Sequence, residues 1–393
     1  MILSKKTKPS SDTQMIDQRY DRTLLAIVLI LSGIGVVMVF SASVVSAQTQ
    51  FGNGYYYLQR QLLFLALGLV VMVVTMNLPY QALERLAKPI LGVSLLLLVL
   101  VLIPGLSTTA KGASRWLNLG VIRLQPSEIA KFAIVVYLSA YLSKHQHELH
   151  KFKIAWVPNL AIVGVFAALL MIQPDFGSTV ICAGMMILMV WSAGARTFHV
   201  TAMLAVALAL MVAAVFQKEY RWKRITAFMS PEADPQGVSY QINQALISFG
   251  SGDWTGQGLG GSTQKLLYLP DAHTDFIFAI IGEETGLIGA ALVVLLFVLF
   301  IWRGLHIARN ASMGFGALLA FGLTVMIGGQ ACVNLAVVMA MLPTKGLTLP
   351  FISYGGSSLL VLSCCAGVLL NISRRMPPPE WLHSPRGILH SVK

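Results

Sequence analysis

In a chain this apolar, the residues able to do chemistry stand out. The string "HTDFIFAIIGEETG" from His273 carries Asp275, Glu283 and Glu284 at the start of a long hydrophobic run. A carboxylate at such an edge can take a proton from a hydroxyl. It can equally cap a helix, since Asp is a favoured N-cap. Glu283 is eight residues further on, about 12 Å deeper at a helical rise of about 1.5 Å. Carboxylates at that depth must be paired, protonated or in a wet cavity. A second constellation is "QPSEIAK", residues 125–131. Glu128 and Lys131 are three apart and share a helix face. Gln125 or Ser127 is placed to cap that helix, and Glu128 sits near the positive end of its dipole. The pair can be a neutralised structural contact or part of a site, because ionisable groups inside a membrane are functional candidates by default. Arg115, Lys265, Arg221 and Arg224 supply positive charge in the two loops before these strings, of the kind that can handle an anionic ligand.

These residues need elements to position them. Of 393 residues, 56% are hydrophobic and only 11% charged, with a mean hydropathy of +0.73. A soluble protein of this length needs far more charge on its surface. Apolar runs of membrane-spanning length recur and do not alternate, which selects helices over a β-barrel. The expected class is an all-α polytopic membrane protein. Ten spans are predicted near 24–45, 58–77, 87–103, 126–143, 155–172, 176–193, 198–216, 275–302, 313–342 and 350–373. The ninth is long, and Gly328-Gly329 marks a place for a break. Residues 1–22 read as a polar tail, 23–375 as one transmembrane domain, and 376–393 as a second tail.

Ten spans put both termini on one side. That side collects seventeen Lys and Arg from the two tails and the loops it shares, so the positive-inside rule makes it cytoplasmic. Two opposite loops break the bias. The loop 104–125 holds Lys111, Arg115 and Arg123; the long loop 217–274 holds Lys218, Arg221, Lys223, Arg224 and Lys265. Snorkelling to headgroups is the plain explanation, and handling of an anionic ligand on the outer face is the functional one. "QKEYRWKRITAFMSPEADP" and "GVSYQINQALISFGSG" each fit an amphipathic helix lying in the interface. Gly256, Gly258 and Gly261 match a dinucleotide-type pattern without its flanking strand. They fit close backbone approach, or a phosphate held by backbone N–H groups beside Lys265. The four cysteines lie in apolar runs at no metal-binding spacing and read as small hydrophobes. No nucleic-acid partner is expected.

Four strings in order, "GASRWLNLGVIRLQPSEIAKF", "QPDFGST", "GQGLGGSTQKLLYLPDAHTDFIFAIIGEETGLIG" and "LPTKGLTLPFISYGGSS", resemble the SEDS family of bacterial cell-wall polymerases, the FtsW/RodA group. The last two look more like its division branch, FtsW, than its elongation branch, RodA. "LPDAHTD" departs from the pattern, with Asp271 where a Glu is expected. The resemblance covers residues 20–375. It implies a ten-helix SEDS fold and a peptidoglycan glycosyltransferase that polymerises lipid II at the outer face of the bacterial inner membrane, at the division septum. It places the catalytic acid on Asp275 and a polar cavity motif on Glu128 and Lys131. Implied partners are an FtsI-type penicillin-binding transpeptidase and divisome proteins of the FtsQ, FtsL and FtsB type. Gln125, Ser127, Arg115, Lys265, Arg221 and Arg224 join the expected substrate contacts. His273, Glu283, Glu284, Tyr354, Gly355 and Gly356 are expected to support the site, the last three mainly through packing. No metal-ligand cluster is legible, although the chemistry admits a divalent Mg or Mn ion. A lipid II flippase and a non-catalytic scaffold are the rival readings.

Overall fold

The computed structural model describes residues 20–110, 113–118, 123–217, 219–229, 239–266, 269–270, 272–311, 314–344 and 346–374. The bulk of both expected tails, together with Lys111, Lys218 and Asp271, lies outside the described residues. In chain order the elements are α1 (Arg22–Phe51), α2 (Tyr56–Asn77), α3 (Gln81–Leu100), β1 (Ser107–Ala110), β2 (Ala113–Asn118), β3 (Arg123–Leu124), α4 (Pro126–Lys144), α5 (Phe152–Ala155), α6 (Val157–Ile172), α7 (Phe176–Ser192), α8 (Thr197–Phe216), α9 (Glu219–Met229), α10 (Tyr240–Gly252), α11 (Ile277–Asn310), α12 (Phe315–Val338) and α13 (Gly356–Ser373).

The fold is mostly helical, with one correction to the all-α expectation. Within the expected loop 104–125, the described residues form a three-stranded antiparallel sheet in the order β1-β2-β3. Among the described residues, seven helices are long and apolar enough to cross a membrane. Three of the expected spans fall short of that measure. Helix α3 carries Glu84, Arg85 and Lys88, α4 carries Glu128 and Lys131, and α7 has 17 residues. The two amphipathic stretches of the long loop are α9 and α10.

Small residues set how closely the helices approach. A Cβ on Gly68 would lie 2.7 Å from Ser363 Oγ, and one on Gly367 would lie 2.4 Å from the Met72 carbonyl. Helices α2 and α13 therefore pack backbone to backbone, the usual source of helix association where lipid removes the hydrophobic drive. Gly328 does the same against Ile301 on α11. Helix α12 runs unbroken through Gly328-Gly329, so the expected break there is corrected: Gly328 serves packing, and Gly329 has open space beside it.

The break occurs in α11 instead. Gly286 has φ 67° and ψ −167°, a conformation that favours glycine. The loop after α10 enters this gap. Gln257 and Gly258 donate their N–H groups to the carbonyls of Glu283 and Glu284, and Leu287 donates to the Asp253 carbonyl. Irregular backbone at that depth is tolerated because protein satisfies its polar groups. Gly256, at φ +80°, lies so close that a Cβ would sit 2.2 Å from the Glu284 carbonyl oxygen. Gly256→Val is expected to destabilise the protein by more than about 3 kcal/mol through clash and strain combined. Thermal unfolding in detergent measures it, with the exposed, unobstructed Gly92→Val as the control position.

Candidate active site

The helix bundle has two distinct ends. At one, the Asp21 N–H donates to Ser373 Oγ at 3.0 Å, joining the start of α1 to the end of α13. Arg303 pairs with Asp21, and Arg374 donates to Asn77. The two ends of the described chain therefore share one end of the bundle. The sheet, the turn between α6 and α7, the long loop and the segment before α13 meet at the other end.

Asp275 lies at that second end, half-buried, two residues before α11. Its strand of backbone is clamped to the 347–354 segment. Asn334 Nδ2 donates to the Asp275 carbonyl at 2.9 Å and also to the Leu347 carbonyl. Ser353 Oγ donates to the Thr274 carbonyl, and the Tyr354 N–H donates to the His273 carbonyl at 3.0 Å. A Cβ on Gly346 would lie 3.1 Å from Asp275 Oδ2 and 3.9 Å from Arg115 Nη1. The carboxylate and the guanidinium thus both approach the same side-chain-free position at Gly346. Arg115, on β2, is aimed by the carbonyls of Gln173 and Pro174, to which it donates. Gln173 is held in turn by the Leu98 carbonyl at 2.9 Å. The small sheet exists where the arginine must stand off the bundle and return to it.

Behind this edge lies a buried polar chain. Lys131 Nζ donates to Glu128 Oε1 at 2.8 Å, with the lysine fully buried. It also donates to Gln330 on α12, whose Nε2 donates to the Thr348 carbonyl at 3.0 Å. Glu128 Oε2 and Ser127 Oγ are buried without a hydrogen-bond partner among the described residues. Buried polar atoms of this kind need an explanation, such as water or a ligand. Pro126 opens α4, and Gln125 is its N-cap residue, though its side chain makes no capping bond. Its backbone N–H donates to Ser357 Oγ at 3.2 Å.

The structure separates the other expected residues. Lys265 does not join Asp275. Its Nζ donates to Glu284 Oε1 at 3.1 Å, Ser41 Oγ at 3.3 Å and the Gly260 carbonyl at 2.6 Å. Glu283 is fully buried and accepts from Ser262 Oγ, Thr263 N and Thr263 Oγ1. Both deep acids therefore tether the loop that enters the Gly286 gap. The N–H groups of Gln257, Gly258 and Gly261 are all taken by carbonyls, so the expected phosphate cradle beside Lys265 is corrected to a backbone joint. On α9, Arg221 is buried over the Phe176 ring at 5.5 Å and donates to the Ala214 carbonyl. Arg224 reaches the Thr344 carbonyl at 3.2 Å, within the segment that carries Gly346. Tyr354 and His273 are ring neighbours near Asp275. Gly355 is extended, and a Cβ on Gly356 would meet the Phe64 ring at 2.5 Å, consistent with packing. Of the cysteines, Cys182 and Cys365 are buried, whereas Cys332 is exposed on α12.

Sequence reasoning missed Gln330, Asn334, Tyr57 and Arg60. Gln330 and Asn334 are polar, four apart in an apolar run, and that spacing places them on one face. Arg60 was absorbed into the second span. Among the described residues no group of three His, Cys, Asp or Glu side chains gathers as a metal site.

Fold and site together define a polytopic helical membrane protein with a carboxylate and a guanidinium at one end and a buried Glu–Lys pair behind them. Comparison with known proteins then fixes the family. The FtsW/RodA/SpoVE family model, described as cell cycle protein, matches residues 22–377, and the chain belongs to that family. It is 44% identical over 357 residues to a probable peptidoglycan glycosyltransferase FtsW of Geobacter sp. strain M18, covering 91% of this chain and 97% of that one. It is 41% identical over 373 residues to the stage V sporulation protein E of Bacillus subtilis strain 168, covering 95% and 99%. A chain solved in a peptidoglycan synthase complex that coordinates polymerization and crosslinking superposes with a TM-score of 0.72 at 28% identity, covering 90% of this chain and 98% of that one. The rod shape determining protein RodA of Thermus thermophilus gives 0.67 at 27%, covering 92% and 98%.

Proposed function

We propose that this chain is a peptidoglycan glycosyltransferase that polymerises lipid II, and that it works in septal wall synthesis beside a penicillin-binding transpeptidase. The observation that carries the reading is that the carboxylate of Asp275 and the guanidinium of Arg115 converge on the bare backbone at Gly346. Glycosyl transfer from a lipid pyrophosphate needs a base at the attacking hydroxyl and positive charge at the leaving group. Asp275 takes the proton from the 4-hydroxyl of the incoming GlcNAc. That oxygen attacks the anomeric carbon of the growing chain, the bond to pyrophosphate breaks, and the α-linkage becomes β in one displacement. Arg115 steadies the departing pyrophosphate, with Arg224 behind it on α9. Lys131, through Gln330 and Thr348, holds the segment that carries Gly346, and Lys265 holds the loop behind Asp275. The chain crosses the membrane ten times: α4 buries Glu128 and Lys131 inside the bundle, α3 carries its exposed charges in its first turns, at one end of the span, and α7 is short but uncharged. The termini are cytoplasmic by the distribution of Lys and Arg. Helix α8, largely exposed, leaves room at its flank for a lipid tail. FtsQ-, FtsL- and FtsB-type proteins are the expected divisome partners.

The test is the purified chain with its transpeptidase, supplied with lipid II. Glycan strands are expected on gels. No strands, together with movement of fluorescent lipid II across vesicles, would establish a flippase instead. Gly346→Leu is a sharper probe. A side chain there enters the space next to both charged groups, so polymerisation is expected to fall at least tenfold while the unfolding temperature moves little.

A further inference from the structure

The face beside Asp275 carries a run of aromatic rings that the proposed chemistry does not use. Phe51 and Tyr56 stack with centroids 3.9 Å apart, and Tyr56 meets Tyr57 edge-on at 5.3 Å. Tyr57 lies 4.5 Å from the His273 ring and 5.0 Å from the Tyr354 ring. The run is built from three segments far apart in sequence: the α1–α2 turn, the stretch before α11 and the stretch before α13. Burial alone does not account for it. Tyr56, Tyr57, His273 and Tyr354 are only partly buried, and Phe51 is 48% exposed. In the turn itself, Gly52 at φ +68° ends α1 and returns the chain so that Tyr56 and Tyr57 open α2.

Charge follows the same line. Arg60, one turn beyond Tyr56 on α2, sits with Cζ 4.7 Å above the Tyr56 ring. It also interacts with Tyr57 and Tyr354, and Arg123 at the sheet edge acts on Tyr57. The register to Asp275 is fixed, because the Tyr354 N–H holds the His273 carbonyl and Ser353 Oγ holds the next carbonyl, one residue short of Asp275.

Partly exposed rings with hydroxyls at their rims and cations beside them suit one ligand chemistry. A pyranose presents an apolar C–H face and a polar edge. Ring faces accept the first through dispersion and weak C–H contacts, and tyrosine hydroxyls accept the second. An acyl-amino sugar adds carbonyl acceptors for Arg60, on its N-acyl group and on the lactyl amide that joins it to the peptide stem. We propose that Tyr57, His273 and Tyr354, with Arg60, form a saccharide subsite that seats a sugar ring of the glycan next to Asp275. This rests on the glycosyltransferase reading and adds where the sugar sits.

The experiment separates the two claims by measuring binding without turnover. The probe is the soluble GlcNAc–MurNAc tetrasaccharide, titrated against the full chain in nanodiscs with its transpeptidase. Wild type and Asp275→Asn are expected to bind it equally. Tyr57→Leu is expected to bind at least tenfold more weakly, with lipid II polymerisation showing a raised KM and a nearly unchanged kcat. Tyr57→Trp, which restores a ring, is expected to recover binding to within threefold. It also guards against misreading a folding defect of Tyr57→Leu. Wild-type binding undiminished by Tyr57→Leu, or no binding by wild type at millimolar tetrasaccharide, overturns the subsite while polymerisation still reports on the function. Loss of kcat alone in Tyr57→Leu also overturns it.

Discussion

Replacing Asp275 by Asn is expected to lower lipid II polymerisation by about 10²–10⁴-fold, the span that a positioned general base contributes. The substitution isolates the carboxylate unusually well. The segment is held through its backbone, with Asn334 on the Asp275 carbonyl, Ser353 on the Thr274 carbonyl and Tyr354 on the His273 carbonyl. None of those bonds needs the Asp275 side chain. An amide of the same shape should therefore leave the fold and lipid II binding intact while removing the proton acceptor. Rates are measured with the transpeptidase inactivated, so that only strand length is read. A variant polymerising within threefold of wild type would falsify the base assignment.

The second large effect is expected in stability. Lys131→Met leaves Glu128 buried and without its cation. Breaking a buried ion pair from one side destabilises by about 3–5 kcal/mol, because an uncompensated charge stays behind. Gln330 also loses the donor on its oxygen, which loosens its grip on Thr348. The double variant Lys131→Met with Glu128→Leu should recover most of the unfolding temperature, since apolar replacements of buried pairs are often neutral. Activity then divides two roles. If the pair only braces the Gly346 segment, the double variant regains polymerisation together with stability. If Lys131 also meets substrate, stability returns and activity does not.

How far the sequence announced this structure depends on how local each signal is. Glu128 and Lys131 are one helical turn apart, so their pairing could be read from spacing. Lys265 and Glu284 are joined across a loop and a helix break, and no pattern of residues states that. Lys265 was therefore grouped with surface cations when its ammonium is in fact enclosed. The helix break was misplaced for a related reason. Gly328-Gly329 is the more conspicuous pair, but glycine in a membrane helix serves packing as readily as breaking. Gly286 is a break because a separate segment supplies donors to the carbonyls of Glu283 and Glu284. The sheet was missed because its strands are two to six residues long, too short for alternation to register. Arg60 was hidden by its apolar neighbours in α2.

The break at Gly286 has a mechanical consequence. A continuous helix carries a twist or push from end to end, whereas α11 is divided into two bodies. The stub from Ile277 to Thr285 is bonded sideways to the 253–263 loop, to Lys265 and through Lys265 to Ser41 on α1. The longer part, down to Arg303 and its partner Asp21, is tied to the chain ends. The same loop also holds the far side of the break, where Leu287 and Ile288 donate to the carbonyls of Asp253 and Trp254, so the two bodies are joined through the loop. A pull on the long loop would therefore act on both bodies at the joint. The loop is a splint across the break, and Asp275 stands one short stub away from it.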